Sequence, residues 1–317
     1  MTLGVETRDL TVRFGDTVAV DALSVTIPAG TLCGLLGRNG SGKTTLLETI
    51  AAFRRASGGQ VQVGGGDPYE NQAVVSDICL IRETGDVEAD SSIKNAFEVA
   101  SLMRPHWDQE YAEYLLERFE LHHRRKVKTL SLGQRSTLGT ILGLATRAPL
   151  TMFDESYLGM DAVSRRVFYD ELLSDYLRTS RTVIISTHLI GEIAPLLEQV
   201  VMIDHGRLTL HEDVETLRAR GTSLTGRADV IDRLVVGSTV LDDRRLGPTK
   251  QVTVYGELDP STRAAAIAEG VEFGAVSLSD LLVYLTDVGR RVEVEDPDGT
   301  HEVATGPQPS IPKEEIS

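Results

Sequence analysis

Apolar residues recur at alternate positions early in the chain: Leu10, Val12 and Phe14, then Val18 and Val20, then Val25 and Ile27. Gly15-Asp16 and Pro28-Ala29-Gly30 interrupt them as turns. Period-two alternation punctuated in this way predicts a small antiparallel sheet. Leu32–Leu36 is then apolar without a break, as a strand buried on both faces would be, and it runs straight into a glycine-rich loop. Over residues 44 to 53 the spacing becomes helical, which predicts Leu46, Leu47, Ile50 and Phe53 on one side.

A different texture follows Ile81. Residues 92 to 128 are mostly helix formers, with Tyr111, Leu115, Leu116 and Phe119 three and four apart. A loop over 129–134, a long helix reaching Thr146 and a strand over 150–153 come next. A helix over 162–177 leads to a strand over 182–186, then another helix and a strand over 200–203. Apolar strands alternating with helices predict an α/β fold, with a parallel sheet covered on both faces.

Beyond about residue 216 the pattern restarts. It reads as strand 221–225, helix 227–234, strands 238–243 and 250–255, helix 260–269, strand 271–276 and helix 279–286. That βαββαβ order predicts a small ferredoxin-like unit. The expected division is a core domain over 1–215 with a helical part over about 84–146, an accessory α+β domain over 216–290, and an acidic tail over 291–317. The tail carries four prolines and seven acids and reads as disordered.

Charge narrows the partners. The chain carries −15 overall; residues 293–317 hold seven acids and one lysine, so −6 falls there and −9 on the rest. Neither part has the basic face that duplex DNA or RNA requires, so no nucleic-acid partner is expected. No apolar run approaches the roughly 18–20 residues of a membrane helix, and the first residues lack the basic and apolar stretches of a signal peptide. The expectation is a cytoplasmic chain that meets a membrane only through a partner. Cys33 and Cys79 lie in strand-like runs without metal-ligand spacing and read as reduced core residues.

Gly37-Arg38-Asn39-Gly40-Ser41-Gly42-Lys43-Thr44 has the pattern G-x-x-x-x-G-K-[ST] between a strand and a helix. Its glycines let backbone N–H groups point at phosphate oxygens, and the helix start, with Thr45, adds donors and a positive dipole end. Lys43 is expected to reach the β- and γ-phosphates and the Thr44 hydroxyl to bind Mg²⁺. The second element is Leu150-Thr151-Met152-Phe153-Asp154-Glu155, an apolar strand ending in two acids. Asp154 is expected to hold Mg²⁺ through water and Glu155 to polarise the attacking water. ATP and Mg²⁺ are the implied ligands.

With these elements in order, the chain resembles the nucleotide-binding domain of ABC transporters over residues 1 to about 215. The distinguishing stretch is Leu130-Ser131-Leu132-Gly133-Gln134, close to the family's LSGGQ signature, about 20 residues before Asp154. The resemblance implies a phosphate-loop NTPase core with an antiparallel β subdomain and a helical subdomain. It also implies that Ser131 to Gln134 would meet the γ-phosphate held by an opposite subunit, with Ser131 and Gly133 in contact. Phe14 occupies the place of the aromatic that stacks on adenine, His188 that of the histidine that senses the γ-phosphate, and Asp161 that of the loop crossing the dimer interface.

Three departures stand out. Glu83 takes the place of a metal-contacting glutamine, Ser156-Tyr157 replaces the usual Pro-Thr, and Leu132 stands at the second signature position. The stretches around Pro105 to Asp108, Arg118 to Leu121 and Lys126 to Ser131 resemble a bacterial subgroup of single-domain export ATPases. The resemblance therefore implies an ATPase that drives drug, antibiotic or peptide export through a separate membrane permease, as a homodimer or heterodimer on the cytoplasmic face. The competing reading is a soluble ABC-type ATPase acting on ribosomes or DNA, but the chain has one set of motifs and no sustained heptads.

Overall fold

The computed structural model describes residues 2–83 and 87–285. β1 (Val5–Phe14) and β2 (Thr17–Ile27) form the antiparallel hairpin that alternation predicts. β4 (Gly58–Val63) joins the far side of β1, giving the order β2-β1-β4. Sequence reading missed β4, because Gly58, Gly59 and the half-buried polar positions mask its alternation.

The second sheet has six strands. β3 (Leu32–Leu36) lies between β7 (Thr182–Thr187) and β8 (Gln199–Asp204). Beyond β7 come β6 (Leu150–Asp154) and β5 (Ile78–Ile81), all parallel, while β9 (Arg207–Asp213) closes the other edge antiparallel. Both faces are buried, and the pleat divides each strand between them. Leu32 and Leu36, Cys79 and Ile81, and Val183 and Ile185 join one buried cluster. Cys33 and Leu35, Ile78 and Leu80, and Ile184 join the other. That is why these strands read as unbroken apolar runs. Burial pushes the Cys33 thiol up to about 12, and neither cysteine is in a disulfide.

α1 (Lys43–Ile50) packs between the two sheets through Leu46, Leu47 and Ile50. It stops a turn earlier than the apolar spacing predicts: Phe53 lies beyond its end and is exposed. A short α2 (Gln72–Val75) precedes β5. α3 (Ile93–Met103), α4 (Gln109–Arg118) and α5 (Leu132–Ala145) then build the helical region. α6 (Ala162–Thr179) follows β6, and a short α7 (Ile190–Ile193) follows β7. Asp175 of α6 is fully buried and pairs with Arg147 and Arg181. Arg147 also reaches Asp108 at the start of α4, at 3.2 Å. Burial brings the Arg181 guanidinium down to about 10, so it stays charged beside Asp175 at neutral pH.

After α8 (Val214–Arg220) the third sheet begins. β10 (Gly221–Arg227), α9 (Ala228–Leu234), β11 (Thr239–Leu246), β12 (Thr249–Tyr255), α10 (Pro260–Ala268) and β13 (Glu272–Ala275) follow in sequence. The strands are all antiparallel in the order β11-β12-β10-β13, the ferredoxin-like arrangement. Leu224, Ile231, Val252, Val254 and Ala266 give it a small core of its own. Residues 278–285 are again helical, yet Leu278, Leu281 and Leu282 join the large cluster of the six-stranded sheet, as do Val214 and Leu217 of α8. The expected tail over 291–317 lies outside the described residues.

Candidate functional site

Because β3, β6 and β7 are parallel neighbours, their C-terminal ends open on the same edge of the sheet. Ligands in open α/β sheets bind at that edge. β3 delivers the loop from Gly37 to Gly42, β6 delivers Asp154 and Glu155, and β7 delivers Ser186, Thr187 and His188.

The loop is tight enough to dictate its glycines. Gly37 and Gly42 have φ of 151° and 106°, and an added Cβ would lie 2.3 Å from the Ile203 carbonyl oxygen and 2.4 Å from that of Ala19. The Ser41 hydroxyl is buried and finds no hydrogen-bond partner among the described residues, although the site is polar. Buried polar groups are rarely left so, and a phosphate oxygen in the loop would supply the missing partner. Arg38, Asn39 and Gly40 line the exposed rim of a cavity of 440 Å³, with Ser41, His188, Asp204 and His205 around it. Thr45 is half-buried in the first turn of α1.

Lys43 is buried, and its Nζ donates to the carbonyls of Gly37 at 2.8 Å and Arg38 at 3.1 Å. Glu155 Oε1 stands 3.3 Å away. The Thr44 hydroxyl donates to Asp154 Oδ2 at 2.7 Å, and Ser186 donates to Oδ1 at 2.6 Å. This hydroxyl–carboxylate pair is an all-oxygen set of the kind a hard divalent cation takes, so the residues fit Mg²⁺. Glu83 is exposed just past β5, and its backbone carbonyl accepts from Ser136. Ile81 pairs with Phe153 in register, which puts Glu83 alongside the end of β6.

Glu155 has a φ of 47°, left-handed for a residue with a side chain, so the chain breaks out of β6 there. The bend leaves its carboxylate between Lys43 and His188, whose Nδ1 lies 3.0 Å from Oε2. Tyr157 also reaches this histidine: its hydroxyl is 3.4 Å from Nδ1. Sequence reading noticed Ser156-Tyr157 only as a departure, and it gave Ser186 no part. The available signal was two hydroxyl residues, Ser186 and Thr187, directly after the apolar run of β7.

Other expected positions lie further out. Ser131 caps α5 by accepting from the Gln134 N–H, while the Gln134 side-chain carbonyl accepts from the Ser131 N–H, both at 3.2 Å, a reciprocal capping box. An added Cβ on Gly133 would fall 2.1 Å from the Gly159 carbonyl oxygen, so the start of α5 sits directly on the loop that leads to Asp161. Leu132 remains half exposed. Asp161 caps α6, and the hydrogen bond from the Ser164 N–H, at 2.7 Å, holds its carboxyl below the usual range. Phe14 is half exposed at the end of β1, with the Arg54 guanidinium 4.2 Å over its ring.

The profile of the ABC transporter family matches residues 20–157. The chain is 30% identical over 206 residues to the ABC transporter ATP-binding protein NatA of Bacillus subtilis, covering 63% of this chain and 83% of that one. It is 28% identical over 305 residues to the daunorubicin resistance ATP-binding protein DrrA3 of Streptomyces coeruleorubidus, covering 89% and 95%. Among solved structures, an ATP-binding subunit of an ABC transporter superposes with a TM-score of 0.61 at 18% identity, covering 68% of this chain and 91% of that one. A dimeric ATP-binding cassette in a post-hydrolysis state, bound to ADP and Pi, gives 0.59 at 19% identity, covering 66% and 98%. At such identities the structures speak to fold alone.

Proposed function

The chain belongs to the family of ABC transporter ATP-binding proteins, and from that premise we propose that it is the ATP-hydrolysing motor of an export system whose membrane-spanning part is a separate polypeptide. The observation that carries the reading is the chain of contacts from Lys43 through Glu155 to His188, beside the Thr44–Asp154 pair. Glu155 stands 3.3 Å from the buried Lys43 ammonium. The phosphates of ATP would draw Lys43 to themselves and release Glu155 to take a proton from water. Ser41, Thr45 and the loop N–H groups from Gly37 to Lys43 would hold the phosphates, and Phe14 would stack on adenine. Thr44, Asp154 and Glu83 would hold Mg²⁺, which when bound neutralises the charge developing between the β- and γ-phosphates.

Ser131, Leu132, Gly133, Gln134 and Asp161 are proposed to complete the site of a second copy or a related subunit. The N-terminus of α5 would offer that subunit's terminal phosphate an anion site. For a membrane partner, support comes from a 670 Å³ groove between β5, α3 and α5, walled by Phe53, Val75, Val99, Met103 and Leu142. A groove rimmed by exposed apolar side chains suits the apolar side of a helix. Among the described residues no helix is long and apolar enough to cross a membrane, so attachment would come from the partner. The relative named for daunorubicin resistance supports the reading of drug, antibiotic or peptide export.

Co-expression with a candidate membrane permease tests the proposal. The chain should be recovered with membranes only when that protein is present, and replacing Val99 in the groove with Asp should abolish recovery while sparing ATP binding. Equal membrane recovery without the partner would overturn it.

A further inference from the structure

Tyr157 is almost fully buried, and its hydroxyl sits among three groups of the β7 end. It accepts from the Thr187 hydroxyl at 2.8 Å and from the His188 backbone N–H at 3.3 Å, and it lies 3.4 Å from His188 Nδ1. Thr187 Oγ1 itself accepts from the Leu189 N–H at 2.9 Å, which leaves its proton free for Tyr157. Both acceptor positions of the phenol oxygen are then filled. Its own proton is left facing Nδ1. Burial raises the pKa of this phenol, so the proton stays on it at neutral pH.

Nδ1 therefore faces two groups with opposite demands. Glu155, at 3.0 Å, is an acceptor and needs a proton on Nδ1. Tyr157 is a donor and needs Nδ1 bare. A neutral imidazole carries one N–H, so the partner of Nδ1 decides what Nε2 is. Paired with Glu155, the neutral ring presents a bare Nε2, which repels phosphate oxygen. Paired with Tyr157, it presents Nε2–H, a donor. His188 lines the same cavity as Arg38, Asn39 and Ser41, where a terminal phosphate would lie.

Resting on the roles given to Glu155 and His188 above, we propose that Tyr157 is a positioning residue that sets the tautomer of His188. When Glu155 turns from His188 to the attacking water, the Tyr157 hydroxyl takes over Nδ1 and holds the ring as the Nε2–H form that donates to the terminal phosphate. No proton passes between Tyr157 and His188: as the partner of Nδ1 changes, Nδ1 gives its proton to solvent and Nε2 takes one from solvent, which the part-exposed ring can reach, so the ring stays neutral. The departure from Pro-Thr thus gives this chain a tautomer lock built from its own buried phenol.

Histidine tautomers are separable by long-range proton–nitrogen correlation in the full chain carrying isotope-labelled histidine, loaded with Mg²⁺ and a β,γ-imido analogue of ATP. The His188 signal is assigned by its loss in His188→Ala. The expected result is Nε2–H in the parent and a shift toward Nδ1–H in Tyr157→Phe. That variant should also show a kcat lower by roughly tenfold, the scale of one hydrogen bond, with KM for ATP within about twofold. A loaded parent carrying its proton on Nδ1 overturns the proposal and requires no variant to fold. An unchanged tautomer in Tyr157→Phe overturns it equally, even if activity falls. Glu155→Gln separates the two levels: parental hydrolysis by that variant undoes the role of Glu155 itself. Loss of hydrolysis there, with no effect of Tyr157 on the tautomer, sinks only the lock.

Discussion

A buried ammonium is tolerated at Lys43 because two carbonyls and the Glu155 carboxylate surround it. An unpaired charge there would cost several kcal/mol. The same logic makes Glu83 informative, since it lies just past β5, in line with the end of β6, and is proposed as a third acid at that sheet edge. A charged oxygen is a stronger Mg²⁺ ligand than an amide oxygen, and without the metal it repels phosphate. Glu83→Gln should therefore raise the Mg²⁺ concentration that half-saturates ATPase activity several-fold, while metal-free ATP affinity stays equal or improves. Superimposable Mg²⁺ titrations of the two proteins would show that Glu83 has no part in the site. The phosphate-loop and acidic positions were legible in the sequence because their chemistry leaves few residue choices. Ser186 and Tyr157 were not, because their importance exists only once β6 and β7 lie side by side.

The helices depend on contacts that cross between elements. Asp175 on α6 holds Arg147 and Arg181, and through Arg147 it is tied to Asp108, the N-cap of α4. Asp175→Ala would strand the almost wholly buried Arg181 guanidinium and leave Arg147 with Asp108 alone, at a cost of about 3–5 kcal/mol. The expected outcome is a lower urea midpoint at unchanged slope; a midpoint equal to that of the parent would contradict it. Nothing in the sequence marks Asp175, because an acid in a mid-helix position looks like part of a solvated face until the fold buries it. Apolar strands announced themselves, since burial on both faces demands unbroken runs. β4 and β9 did not: one is glycine-led, and the other is half-buried and polar at alternate positions. The βαββαβ order of the last unit was readable because short hairpins and helices alternate cleanly there.

At the scale of the molecule, the phosphate loop, the acids and the histidine meet at one edge, while Ser131, Gly133 and Asp161 are set on the neighbouring α5 and α6 starts. The motif pattern points to the first group, and the resemblance to ABC nucleotide-binding domains points to the second. What it did not reveal is that α8 and the helix at residues 278–285 share the large core, through Val214, Leu217, Leu278, Leu281 and Leu282. Such sharing is a long-range property that no local pattern encodes. The ferredoxin-like unit is thereby anchored to the sheet that carries the site.

Two copies of the signature edge are proposed to close over ATP, after which Glu155 drives hydrolysis. The most direct measurement is the mass of Glu155→Gln by sedimentation, with and without Mg²⁺·ATP, alongside its steady-state ATPase rate. Gln keeps the shape of the side chain but removes the base, so turnover should fall by about 10² or more. The trapped nucleotide should bring the chain to a dimer that dissociates when ATP is withdrawn. A variant that binds ATP yet hydrolyses it at the parental rate would contradict this proposal.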